Sequence, residues 1–391
     1  MVQNNFHKDF KINNHSFTSV DEMLIFAHDF SEEIHLFLEN WFSSEDFILV
    51  KTSGSTGNPK TIQLQKKHMV NSALATGDFF NLKENTTALL CLPVAYIAGK
   101  MMLIRAFTLG WNIDIITSNS IPLKNIFKCY DFSAMVPLQV ENSIEKLHQI
   151  KKLIVGGGVV STNLQEKLQT ITTEVYATYG MTETITHIAV KKLNQFSSLR
   201  VPNPREKQSL SEEENNIYID GKAERQMSPR AEPRGYYQTL PNTTIYKDER
   251  NCLVIKNTKV SDEVIFTNDV VNLISDKQFE WLGRFDNVIN SGGIKLHPEK
   301  IEEKLADIIA QRFFVAGIWD EKLGEKLVLV IEYQSFKVSE FQSSFIEKIK
   351  NLQTLSKYEI PKEIYFIDAF VETETGKVQR KKTLQKIQTN S

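Results

Sequence analysis

Phe47-Ile48-Leu49-Val50-Lys51-Thr52-Ser53-Gly54-Ser55-Thr56-Gly57-Asn58-Pro59-Lys60 is an apolar run that passes directly into hydroxyls, two glycines and a lysine. The first five residues read as a strand. Residues 52–60 have the composition of a phosphate-wrapping loop, in which backbone N–H groups and hydroxyls donate and an ammonium supplies charge. The spacing is not that of a Walker loop, which needs four residues between its glycines and a lysine next to the second. Pro59 also resists the immediate helix that such a loop opens. A triphosphate held by another architecture fits, although an ordinary tight turn would use the same glycines.

Outward from this stretch the same pattern repeats. TALLCLP (87–93), NIDIIT (112–117), KLIVGG (152–157) and EVYATYG (174–180) are apolar runs bounded by polar turns, with helical spacing between them at 66–80 and 161–169. Such alternation predicts an α/β fold with a largely buried sheet. From 194 to 235 the sequence turns polar and holds four of the eleven prolines, which reads as a long mobile surface loop. The runs TTIYKDERNCLVIK, DEVIFTNDVVNLI and QFEWLGRF then predict an antiparallel subdomain, and PEKIEEKLADII (298–309) a helix with proline in its first turn. Strand, helix and strand complete a small α+β unit. The expected division is a large domain over 1–284 and a small one over 285–391, as a 391-residue chain invites.

Forty-six basic and 48 acidic side chains nearly cancel, so no global field draws nucleic acid or an anionic membrane. Three scattered cysteines without a CxxC argue against a disulfide framework or zinc site. No apolar run is long enough for a signal segment or a membrane span, and a cytoplasmic protein is expected.

Glycine is scarce, 17 in all, yet ten fall in five short segments. Besides Gly54 and Gly57 these are Gly156-Gly157-Gly158 after KLIV, Gly180 after EVYATY, Gly283 with Gly292 and Gly293, and Gly376 beside Lys377. The triple glycine imitates a dinucleotide fingerprint, but Ser161 stands where its last glycine belongs. Tyr179-Gly180-Met181-Thr182-Glu183 places a stacking ring, a hydroxyl and a carboxylate at one strand end.

Taken together, TSGSTGNPK, YGMTE, the aspartate of FTND, GRFDNVINSGGIKLHPEKIE and TGKVQRKK resemble, in order, the motifs of the adenylate-forming enzymes: acyl- and aryl-CoA synthetases, adenylation domains and luciferase-like proteins. Within that superfamily, LPVAYIAGKMMLIRAF and YGMTETITHIAV look most like the o-succinylbenzoate-CoA ligases, which perform the acyl-activating step of menaquinone synthesis. The resemblance implies ATP, Mg²⁺ and coenzyme A as cofactors and co-substrate, a small carboxylic acid as substrate, and two steps through an acyl-adenylate. It assigns Thr52, Ser53, Gly54, Ser55, Thr56, Gly57 and Lys60 to the β- and γ-phosphates. Gly156, Gly157, Gly158 and Tyr179 would frame adenine, and Asp269 and Arg284 would take the ribose. Thr182 would contact the α-phosphate, Glu183 would hold Mg²⁺, and Lys377 would bridge α-phosphate and attacking carboxylate. Asp286 would be the hinge of the small domain. One departure is Tyr96-Ile97-Ala98-Gly99, where the family usually has a histidine or aromatic before the glycine.

For the acid, Lys100 and Arg105 in an apolar helical stretch are the candidate cations, with a helix-end cation reaching for water as the plainer alternative. His187 reads as structural and the run Arg380, Lys381, Lys382 as a solvated helix face. Two other functions compete: a ligase for another acid or a carrier-protein thiol, and a nucleotide-sensing protein without catalysis.

Overall fold

The computed structural model describes residues 6–51, 61–194, 235–333, 347–373 and 378–389. The expected mobile loop over 194–235 therefore lies outside them, apart from its two ends.

The α/β expectation holds. Thirteen strands form one sheet among the described residues. Its centre is parallel: Glu174–Gly180 pairs with Ile150–Val155, which pairs with Tyr130–Met135, then Thr87–Leu90 and Asn112–Ile115. These strands are apolar on both faces because helices cover both. Leu153 and Val155 enter one core while Ile154 between them enters the other. The chain leaves Thr87–Leu90 for a neighbour on one side and then returns to its other side, which opens a crevice at the carboxyl ends of the strands.

The helices fall where periodicity placed them. Lys66–Phe80 ends on Asn81, whose φ of 52° closes it in the left-handed region that asparagine tolerates. Thr162–Leu168 begins on Ser161, whose hydroxyl accepts from Leu164 N at 3.2 Å. Ile97–Leu109 buries every residue from Met101 to Phe107, and Ala98 is its one exposed residue.

The structure corrects the sequence reading in four places. Phe47–Lys51 does not join the large sheet but pairs with Thr61–Gln65 in a two-stranded hairpin. The strands after residue 235 are antiparallel as expected, yet they are no separate subdomain: Tyr237–Thr239 joins His187–Lys192 to Gln278–Arg284 and extends the main sheet. The helix from Pro298 stops at Leu305, although Ile309 is still buried beside it. Where one strand was expected directly after that helix there are two, Phe313–Asp320 and Gly324–Glu332, paired antiparallel.

Residues beyond Ile289 build a five-stranded sheet with cores of their own. Along Gly324–Glu332, Leu327, Leu329 and Ile331 point into one core and Val328 and Val330 into the other, the period-two pattern of a strand buried on both faces. No described helix is long and apolar enough to cross a membrane.

Candidate active site

A cleft of about 2120 Å³ opens at the carboxyl ends of the four central parallel strands. Leu92, Met135, Gly156 and Gly180, each at or just past the end of one of them, line it. This is where a doubly wound sheet binds its ligands.

The floor is set by strand register. Asp269 lies opposite Arg284 on adjacent antiparallel strands, and a bulge after Val270 brings Trp281 to the same side. Asp269 is 5% exposed. Its carboxylate accepts from the Tyr179 hydroxyl at 2.7 Å and from Trp281 Nε1 at 3.2 Å, with the Arg284 guanidinium 3.7 Å away. Burial and the adjacent carboxylate push the Tyr179 hydroxyl well above its ordinary range, so it remains a donor at working pH. Its ring meets Phe279 and Tyr237 edge-on.

On the rim, Gly157 takes a φ of 78° and holds the triple glycine open toward the cleft. Thr182 and the exposed Glu183 lie in one 3₁₀ turn. The buried Thr184 hydroxyl accepts from Met181 N at 2.9 Å and donates to Thr186 O at 2.6 Å, which folds the segment back on itself. Ile185 then takes φ 67° and ψ −58° while Thr186 N donates to Thr184 O at 2.8 Å. This positive-φ γ-turn is strained for a β-branched residue and is held by its surroundings. It swings His187 back across Gly180, where a Cβ would stand 2.1 Å from Thr186 O and 2.5 Å from His187 Cα. Gly180→Ala is therefore expected to destabilise the fold by about 1–3 kcal/mol or more, read from its denaturation midpoint; an unchanged midpoint would refute the close packing.

Arg105, which is 1% exposed, and His187 also line the cleft. Burial lowers Arg105 to about 9 and, together with the Arg105 charge, holds His187 well below its usual 6.5. As pH falls below about 6.5 the unfolded chain takes up a proton that native His187 refuses, so stability should fall with acidification. His187→Gln should flatten that slope between pH 7.5 and 5 in denaturant titrations; parallel slopes for the two proteins would count against it.

The cleft thus gathers Gly156, Gly157, Gly158, Tyr179, Thr182, Glu183, Asp269, Arg284 and Arg105. It does not gather Lys100, whose ammonium donates to Val94 O at 2.6 Å and sits 5.2 Å over the Phe37 ring. Asp286 is exposed at the cleft's edge, accepting from Asn268 Nδ2 at 3.3 Å. Thr52, Ser53, Gly54, Ser55, Thr56, Gly57, Lys60 and Lys377 lie outside the described residues. Among the described residues no cluster of three metal-ligating side chains occurs. A lone Glu183 still suits Mg²⁺, which is commonly held by one or two carboxylates together with substrate phosphates.

Trp281 was not expected here, since an aromatic in an alternating strand reads as core; only the register reveals its N–H on Asp269. Arg380 is no solvated cation either: it donates to Val315 O at 3.0 Å and to Glu302 at 2.8 Å, whereas Lys381 and Lys382 are exposed.

Residues 37–213 match the family model for AMP-binding enzymes. A solved acyl-CoA synthetase (AMP-forming)/AMP-acid ligase II-like protein from Dyadobacter fermentans is 33% identical, covering 91% of this chain and 93% of its own, at a TM-score of 0.53. The chain belongs to the AMP-binding enzyme family. Among its relatives, a 2-succinylbenzoate--CoA ligase of Staphylococcus epidermidis is 25% identical over 85% of this chain and 68% of the relative. The o-succinylbenzoate CoA synthetase of Bacillus subtilis, solved with an acyl-adenylate intermediate, shares the fold at a TM-score of 0.64 and 19% identity, over 85% of this chain and 68% of its own.

Proposed function

We propose that this AMP-binding enzyme is an ATP-dependent carboxylate-CoA ligase that works through an acyl-adenylate, and that its acid is o-succinylbenzoate. The observation that carries this reading is the buried Asp269 carboxylate, clasped by Tyr179, Trp281 and Arg284 beneath a rim of glycines, Thr182 and Glu183. The ligase names of the relatives, which include 2-succinylbenzoate--CoA ligase, support it.

A carboxylate resists thiol attack because its charge is delocalised and its oxygen leaves badly. In the proposed first step one oxygen of the acid attacks the α-phosphorus of ATP in line, and the bond to pyrophosphate breaks. Two anions approach each other, so catalysis is charge stabilisation and positioning. Thr182 would donate to the α-phosphate, Lys377 would lie between it and the acid, and residues 52–60 would draw off pyrophosphate. Mg²⁺, bound at Glu183, would supply further positive charge to the phosphates. Asp269 and Arg284 would fix the ribose. In the second step the CoA sulfur attacks the acyl carbon and AMP leaves. We further propose that the unit from residue 285 turns about Asp286 between the steps, because Lys377 and the thiol need the same space.

The test is carboxylate-dependent pyrophosphate release from ATP and Mg²⁺ over a panel of acids, with and without CoA. Release and a CoA thioester with o-succinylbenzoate alone are expected. Release with a different acid would discard the substrate and keep the chemistry, and silence with every acid would overturn the ligase reading.

A further inference from the structure

We propose that Glu33 and Lys100 are positioning residues for the acid: together they lock the peptide plane between Val94 and Ala95 and so fix the turn that forms one wall of the cleft. This rests on the ligase reading above. Pro93, Tyr96, Ile97 and Ala98 line the cleft where the chain passes from the strand Thr87–Leu90 into the helix Ile97–Leu109. Residues 93–96 make a four-residue turn, closed by Tyr96 N on Pro93 O at 3.4 Å. That bond is long and Pro93 brings no N–H of its own, so the turn has little to hold its shape from within.

Its support comes from two other side chains. Lys100 Nζ donates to Val94 O at 2.6 Å, and Ala95 N donates to the Glu33 carboxylate, which projects from the first turn of the helix Glu32–Phe42. Val94 O and Ala95 N are the two ends of one peptide group. Such a group carries a dipole of about 3.5 D, positive at the N–H and negative at the oxygen. A cation on the oxygen and an anion on the N–H therefore grip it from both ends. Rotation of the plane would break two charge-assisted hydrogen bonds and turn each charge toward the like end of the dipole. The two side chains also feel each other: burial lowers the Lys100 ammonium from its ordinary range, and the Glu33 charge raises it. From below, the helix meets the turn backbone to backbone, since a Cβ on Gly99 would stand 2.2 Å from Pro93 O. Val94 is buried in the core while Tyr96 stays exposed at the cleft, so the orientation of the plane between Val94 and Ala95 sets how Pro93 and Tyr96 face the acid. Neither Glu33 nor Lys100 lines the cleft, and both act through this turn.

The experiment measures initial rates of pyrophosphate release over a series of o-succinylbenzoate and a series of ATP. Wild type, Lys100→Met, Lys100→Arg, Glu33→Ala and the double variant of Glu33→Ala with Lys100→Met are compared. Lys100→Met keeps an apolar stem beside Phe37 and loses the charge. It should raise KM for the acid about tenfold, the scale of one charged hydrogen bond, and leave KM for ATP within about twofold of wild type. Glu33→Ala removes an exposed carboxylate and should raise KM for the acid about threefold. The double variant should lose no more than about tenfold, because releasing either end already frees the plane. Lys100→Arg should restore most of the loss, since it still places a cation on Val94 O. A double variant that multiplies the single losses to about thirtyfold would overturn the shared clamp. An unchanged KM for the acid, or an equal rise in KM for acid and ATP, would overturn it as well. If Lys100→Met does not fold, Glu33→Ala carries the comparison of acid with ATP. Where wild type uses another acid of the panel, that acid replaces o-succinylbenzoate in every series. Wild-type silence with all acids would instead remove the ligase reading and the positioning role with it.

Discussion

Replacing Lys377 by alanine is expected to lower pyrophosphate release by about 10²- to 10³-fold, the range for losing one preorganised charge donor at a reacting centre. The same variant should still convert supplied acyl-adenylate and CoA to thioester at close to the wild-type rate. The two steps differ in what they ask of a cation. In the first, an anionic acid meets an anionic phosphate, and repulsion grows as they close. In the second, a thiol attacks an acyl carbon already activated by its AMP leaving group, so a bridging ammonium has little to neutralise. Lys377→Arg keeps the charge but exchanges a compact ammonium for a planar fork, and it should recover only part of the first step. Equal loss in both half-reactions would place Lys377 in the thioester step too, and the proposed turn about Asp286 would lose its reason.

How much of this could be read in the sequence depended on the range of the interactions involved. Lys66–Phe80 and the central strands were legible because apolar period and turn residues are local signals. Phe47–Lys51 was legible as a strand but not as a hairpin partner of Thr61–Gln65, since alternation says nothing about which strand lies alongside. The same limit hid Trp281. Its indole N–H reaches Asp269 only through the register of two strands and the bulge between Val270 and Val271. Arg380 was misread because its partner Glu302 is 78 residues away, so a basic run beside it looked solvated. For Arg105 the local signal was complete but ambiguous. A cation in an apolar helix reaches for water when its own turn is open, and every residue from Met101 to Phe107 is buried. Glycine clustering fared better, because a chain poor in glycine keeps it where backbone must come close, as Gly180 does against Thr186 and His187.

If Asp269 holds the ribose as proposed, two substitutions there should separate that role from its role in the fold, with opposite balances. A carboxylate offers about four acceptor sites. Tyr179 and Trp281 take two of them on a residue that lines the cleft, and the proposed ribose diol would use the others. Asp269→Ala removes the acceptor of the half-buried Trp281 N–H and Tyr179 hydroxyl and leaves Arg284 without its nearer carboxylate. A loss of about 2–4 kcal/mol in folding stability should result, together with ATP affinity. Asp269→Asn can keep the floor intact. Its carbonyl accepts from Trp281 Nε1, a group that only donates, while its amide donates to Tyr179, whose hydroxyl can turn to accept. Stability should then fall by about 1 kcal/mol or less, but the spare acceptor sites on one side and the charge facing Arg284 are lost. KM for ATP should rise about 10- to 100-fold, as for a lost charged hydrogen bond, with KM for the acid nearly unchanged. Denaturation midpoints and initial rates over an ATP series measure both quantities. If Asp269→Asn left KM for ATP at the wild-type value, the carboxylate would be a structural clasp and the ribose would have to be held elsewhere in the cleft.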